Sequence, residues 1–93
     1  MQVLIVIVGW KPQTLSESSS LEELINNNFQ YAKLTESSYL ILCNNTTVEV
    51  RDFIINNVDK IDRIFVGEAG DSAAWRNLLT DSENIKGLYN KKS

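Results

Sequence analysis

Val3-Leu4-Ile5-Val6-Ile7-Val8 is an unbroken aliphatic run, mostly β-branched, near the start of a 93-residue chain. It is far shorter than the roughly 18 apolar residues that a membrane helix needs. A strand with one wet face would alternate apolar and polar side chains, and this run does not. It reads as a strand covered on both faces, in the middle of a sheet. The rest of the chain has to supply its neighbours and its covers.

Ninety-three residues make one domain, here taken as 1–93. A chain of this size buries only about 60–65% of its unfolded surface, so a third layer or a second copy would help it. The composition, 43% hydrophobic and 23% charged, is that of an ordinary globular protein. The net charge of −3 argues against tight, sequence-independent binding of nucleic acid, which needs a basic surface. There is no histidine, which removes the commonest general base and zinc ligand. The single cysteine, Cys43, lies in an apolar run and reads as a buried free thiol of a reducing compartment. Met1-Gln2 leads straight into the aliphatic run with no basic segment or cleavage site, so the expected location is the cytoplasm, off the membrane.

Gly9 and Pro12 end the first strand, and Gln13 to Ser20 form a serine-rich loop. Ser20-Leu21-Glu22-Glu23 fits a capping box for a helix of about two turns, closed by Asn26-Asn27-Asn28. Phe29 to Leu34 alternates like an edge strand, with Lys33 discouraging further pairing. Ser38 to Cys43 is apolar on both faces and belongs beside the first strand. Thr46 and Glu49 make a second capping box, and Val50, Phe53, Ile54 and Val58 follow at helical spacing. Ile61 to Glu68 is the other edge strand, with Ile64 and Val66 on one side and Phe65 opposite. Gly70-Asp71-Ser72 reads as a turn and cap. Ala73 to Leu79 reads as a short helix, interrupted by Asp81-Ser82. Ile85, Leu88 and Tyr89 add one amphipathic turn before a frayed Asn90–Ser93 end.

This order is β-α-β-β-α-β with a helical tail, the ferredoxin-like α+β sandwich. Its central positions fall to the first and third strands, the two that are apolar on both faces. Two helices cover one face of the sheet. The other face is also apolar and needs the Trp75–Tyr89 tail or a second subunit, so a homodimer is expected.

Between Thr35 and Leu79, three features recur in order. Ser38 precedes Tyr39 at a strand start, Asp62-Arg63-Ile64-Phe65-Val66 forms the last strand, and Ala74-Trp75 follows. The layout resembles the small bacterial SinR-like proteins, related to the CRISPR-associated adaptation endoribonuclease family and more distantly to VapD-type toxins. The resemblance implies a ferredoxin-like homodimer linked to nucleic acid or to bacterial defence. In that nuclease family an Asp from each subunit ends the first strand and holds a divalent metal. Gly9-Trp10 stand there in this chain, and the next acid is Glu17, in the serine-rich loop. No catalytic, metal or cofactor residue is therefore assigned.

Two aromatic–cation pairs are candidates for partner binding. Trp10 and Lys11 follow a central strand, where an aromatic could stack a base and a cation touch a phosphate; equally, Trp10 could pack over the sheet end. Trp75 and Arg76 are residue types enriched in interface anchors, though Trp75 could simply cover the second sheet face. Arg51, Lys60 and Arg63 alternate with acids and read as a mixed solvated surface, and Asp59 with Asp62 falls short of a metal site. The expectation is a non-catalytic dimeric binding module of a bacterial or mobile-element defence or toxin–antitoxin system, contacting a protein, RNA or DNA. The alternatives are a metal-dependent endoribonuclease with a displaced acidic ligand, or a domain binding a small ligand at its dimer interface.

Overall fold

The computed structural model describes residues 1–12, 18–70 and 73–92. The aliphatic run lies within β1 (Gln2–Trp10), which pairs with a strand on each side. The elements that follow are α1 (Ser18–Asn28), β2 (Gln30–Thr35), β3 (Ser38–Cys43), α2 (Thr47–Asn57), β4 (Ile61–Glu68) and α3 (Ser82–Lys91). The four strands form one antiparallel sheet in the order β2-β3-β1-β4. This order, with a third helix added, is consistent with the ferredoxin-like α+β arrangement. The two strands that are apolar on both faces are the central ones, β1 and β3; β3 is covered on both faces, whereas β1 is covered on both only in its first half, since Ile7 is 43% exposed.

Alternation along β1 splits the core in two. Leu4, Val6 and Val8 face α1 and α2, where they pack with Leu21, Ile25, Tyr39, Ile41, Val50 and Ile54. Val3 faces the other way and packs with Ala32, Leu40, Leu42, Ile85 and Leu88. Of the two expected covers for the second face, the tail or a second subunit, the tail supplies the cover on the β2–β3 side. The Thr46 capping box is formed in full: Thr46 N donates to Glu49 Oε1 (2.8 Å) and Glu49 N to Thr46 Oγ1 (3.1 Å).

Several local expectations are corrected. Gly9 does not end β1; the strand continues to Trp10 through a register shift against β4 that absorbs an extra residue. Ser20 lies inside α1 rather than capping it, and α1 runs eleven residues. Gln13–Glu17 of the serine-rich loop, like Asp71 and Ser72 of the expected turn and cap, lie outside the described residues. Ala73–Leu79 is not a helix: Asn77 adopts φ +58°, a left-handed conformation that interrupts helical hydrogen bonding. Asp81 does not interrupt the tail but caps α3, its carboxylate accepting from Asn84 N at 2.8 Å. Asn90 and Lys91 are helical rather than frayed, and Lys92 Nζ donates to Gly70 O at 2.8 Å.

Lys33 does not guard the edge of β2 as expected. Its stem turns towards the helices, where Nζ binds Glu22 Oε1 at 3.1 Å and lies 5.9 Å from the centre of the Tyr39 ring. The edge is occupied instead by the tail: Leu79 N donates to Leu34 O (3.0 Å) and Asn84 Nδ2 to Tyr31 O (3.1 Å). These bonds take up backbone carbonyls that an open edge would offer to another strand.

Candidate docking surface

The two aromatic–cation pairs do not form one site. Trp10 is half-buried and packs against the core on the helix side. Trp75 packs against the core on the opposite face, with its indole Nε1 donating to Ser82 Oγ at 3.1 Å. The sheet separates the two rings, and each serves first as a cover. Arg76 is exposed.

Strand register does gather cations that looked scattered in the sequence. Lys11 N donates to Lys60 O at 2.9 Å, and Arg63 stands opposite Gly9 with its stem against the glycine. Lys11, Lys60 and Arg63 therefore share the far end of the β1–β4 pair. Asp59 and Asp62 share it too, so the end carries mixed charge.

The larger feature is on the second sheet face, of which the tail covers only part. Above β2 and β3 it is closed by Ile85 and Leu88, which are 1% and 3% exposed. Above the far half of β1 and β4 none of the described residues closes it: Ile7 is 43% exposed and Phe65 60% exposed. The two are direct partners across the β1–β4 ladder, so they form one apolar patch. Sequence reading placed Phe65 opposite Ile64 and Val66 but did not single it out. The available signal was its position: a large aromatic on the outward face of an edge strand, away from both helices.

Between this patch and the tail lies a groove of about 310 Å³, lined by Ile5, Leu34, Leu40, Ala69, Trp75 and Tyr89 among others. Its walls are mostly apolar, which suits a hydrophobic group better than a charged one. Gly67 sits beside it, opposite Ile5 in the ladder. A Cβ built on Gly67 would lie 2.7 Å from Cε1 of Phe65, so the phenyl ring rests where a side chain at 67 would be.

The polar clusters elsewhere are tied into the fold. Tyr31 donates its hydroxyl hydrogen to Glu22 Oε2 at 2.8 Å, and Lys33 holds the other carboxylate oxygen. The Tyr31 hydroxyl and Lys33 together hold the Glu22 carboxyl below its ordinary range. Burial pushes the Tyr39 hydroxyl up to about 12 and the Cys43 thiol above its usual value. Cys43 is buried and free, as expected. Among the described residues, no three His, Cys, Asp or Glu side chains come together as a group that could hold a metal ion, and no helix is long and apolar enough to cross a membrane.

No protein-family model matches the chain, and no curated protein matches it significantly.

Proposed function

We propose that this chain is a non-catalytic binding module that works as a homodimer. The observation that supports it is the half-covered second face: Ile7 and Phe65 stay exposed beside a covered β2–β3 half. An exposed apolar patch next to a well-packed core is a common mark of an interaction surface. A second copy supplies an identical patch at no cost in new sequence. The chain's net charge of −3 favours a protein over a nucleic acid as the further partner, and the mixed cation end at Lys11, Lys60 and Arg63 is the place where an RNA or DNA contact would be sought. The resemblance carried by Thr35–Leu79 supports a setting in bacterial or mobile-element defence, with the cytoplasm as its location.

Size exclusion with light scattering tests the reading, run alone and with short labelled RNA and DNA, with and without magnesium. The expected mass is twice the 10.5 kDa of one chain, unchanged by nucleic acid. A single-chain mass at micromolar concentration would remove the dimer. Magnesium-dependent cleavage of the RNA, stopped by a chelator, would replace the binding module with an endoribonuclease.

A further inference from the structure

We infer that the pocket between α1, the edge of β2 and the tail binds a small zwitterion, an α-amino acid with a short apolar side chain, through Glu22, Lys33, Thr80 and Asn84. The inference goes beyond the binding module proposed above and does not depend on the dimer.

The pocket has a volume of about 320 Å³ and is lined by Glu22, Tyr31, Lys33, Leu79, Thr80 and Asn84. Separate stretches of chain meet there, and a hydrogen-bond network holds their polar groups in place. Tyr31 donates its hydroxyl hydrogen to Glu22 Oε2 at 2.8 Å, and Lys33 Nζ donates to Glu22 Oε1 at 3.1 Å. Asn84 Nδ2 donates to Tyr31 O at 3.1 Å and to Thr80 Oγ1 at 2.9 Å. Tyr31 O can only accept, so it fixes which way the Asn84 amide faces.

These bonds leave capacity of both kinds. Each Glu22 oxygen accepts one bond within the network, and a carboxylate oxygen can take a further one. Asn84 Oδ1 receives no donor among the described residues. On the donor side, Lys33 has ammonium hydrogens beyond the one given to Glu22. Thr80 Oγ1 accepts from Asn84, which frees its own hydroxyl hydrogen to donate. The side chains of Lys33 and Glu22 are 22% and 35% exposed, so the pair is sheltered yet within reach of a ligand.

The charges select the class of ligand. A phosphate or a plain carboxylate drawn to Lys33 meets the Glu22 carboxylate 3.1 Å away, and a plain amine drawn to Glu22 meets the ammonium. A zwitterion laid head to tail along the pair meets an opposite charge at each end. Its ammonium donates to Glu22 and Asn84 Oδ1; its carboxylate accepts from Lys33 and Thr80. Tyr31 and Lys33 hold the Glu22 carboxyl below its ordinary range, which keeps the acceptor ionised. Leu79 is 57% exposed although its backbone is tied to Leu34 O, and it offers an apolar wall to the ligand's side chain. The volume lies at the small end of ligand pockets, which suits a single amino acid.

The test titrates the full-length protein with L-leucine and L-valine and follows backbone and side-chain amide signals by nuclear magnetic resonance. The signals of Lys33, Thr80 and Asn84 are expected to move and to saturate. L-leucine methyl ester, which lacks the carboxylate, and 4-methylpentanoate, which lacks the ammonium, each bind about tenfold or more weakly, the share of one hydrogen bond to a charged group. Glu22→Gln keeps an acceptor for Tyr31 and removes the charge; it weakens L-leucine by a similar factor. Leu79→Ala, at an exposed position, leaves the fold intact by circular dichroism and weakens L-leucine more than glycine. The inference falls if neither amino acid moves these signals up to about 20 mM, beyond the range of a millimolar site. It falls equally if the ester or the acid binds as well as L-leucine, since the paired charges then select nothing. Saturable shifts centred on the Trp75 indole instead would place the ligand in the apolar groove and overturn the assignment. The oligomeric mass, measured separately, changes none of these outcomes.

Discussion

Leu88→Ala tests whether the tail is part of the core or only lies on it. Leu88 is 3% exposed and packs with Ile85 against Val3, Ala32, Leu40 and Leu42. Truncating a buried leucine removes its transfer free energy and leaves a cavity, about 2–5 kcal/mol in all. The lower middle of that range, about 3 kcal/mol, is expected, because an outer helix can sink partly into the space. A 93-residue domain has on the order of 5–14 kcal/mol of total stability, so the loss is a large share of it. With a urea dependence of about 1.2 kcal/mol per molar, the midpoint falls by roughly 2.5 M. Urea titration followed by far-ultraviolet circular dichroism measures this. Tryptophan fluorescence in a Trp10→Phe background leaves Trp75 to report on the tail, and both signals are expected to move together. Leu79→Ala is the control: Leu79 is 57% exposed, and its truncation should cost well under about 1 kcal/mol. A midpoint shift below about 0.5 M for Leu88→Ala, with unchanged slope, would show that α3 is not cooperatively packed on the sheet. It would also mean that the whole second face is open in solution.

Thr46→Ala removes one side of a complete capping box and should cost about 1 kcal/mol in the same urea titration, while Val48→Ala, on the exposed side of α2, should cost less. Glu22 predicts a specific acid response. Its carboxyl is held below the ordinary value by Tyr31 and Lys33, so its contribution is fully present above about pH 4.3 and is lost as pH falls through the lowered value. Urea midpoints compared at pH 7 and pH 3 should therefore fall less in Glu22→Gln than in the wild type, by a margin under about 1 kcal/mol because the pair is partly exposed. Equal falls in both proteins would show that the pair contributes nothing.

The sheet was legible because burial leaves a periodic trace. Val3–Val8 and Ser38–Cys43 carry apolar side chains on both faces, which only central strands need, and both lie in the centre. Thr46–Glu49 was legible because a capping box is local and its partners are three residues apart. The tail was not legible from Ala73 to Thr80. Its path is set by distant partners: Leu34 O receives Leu79 N, and Tyr31 O receives Asn84 Nδ2, contacts that no local spacing announces. Lys33 was misread for a similar reason. A lysine on an edge strand usually faces water, but here Glu22 of a helix lies within its reach. Of the candidate residues, Trp10 and Trp75 turned out to cover opposite faces. Phe65 went unselected because its exposure depends on how far the tail extends across the sheet.

The position of the tail in the chain has a consequence for folding. Every strand and both core helices precede residue 69, whereas the cover of Val3, Leu40 and Leu42 comes from Ile85 and Leu88. The sheet can therefore pair before α3 docks on it. A chain at that stage shows the whole second face, and the speed with which α3 docks sets how long that face is open to another chain.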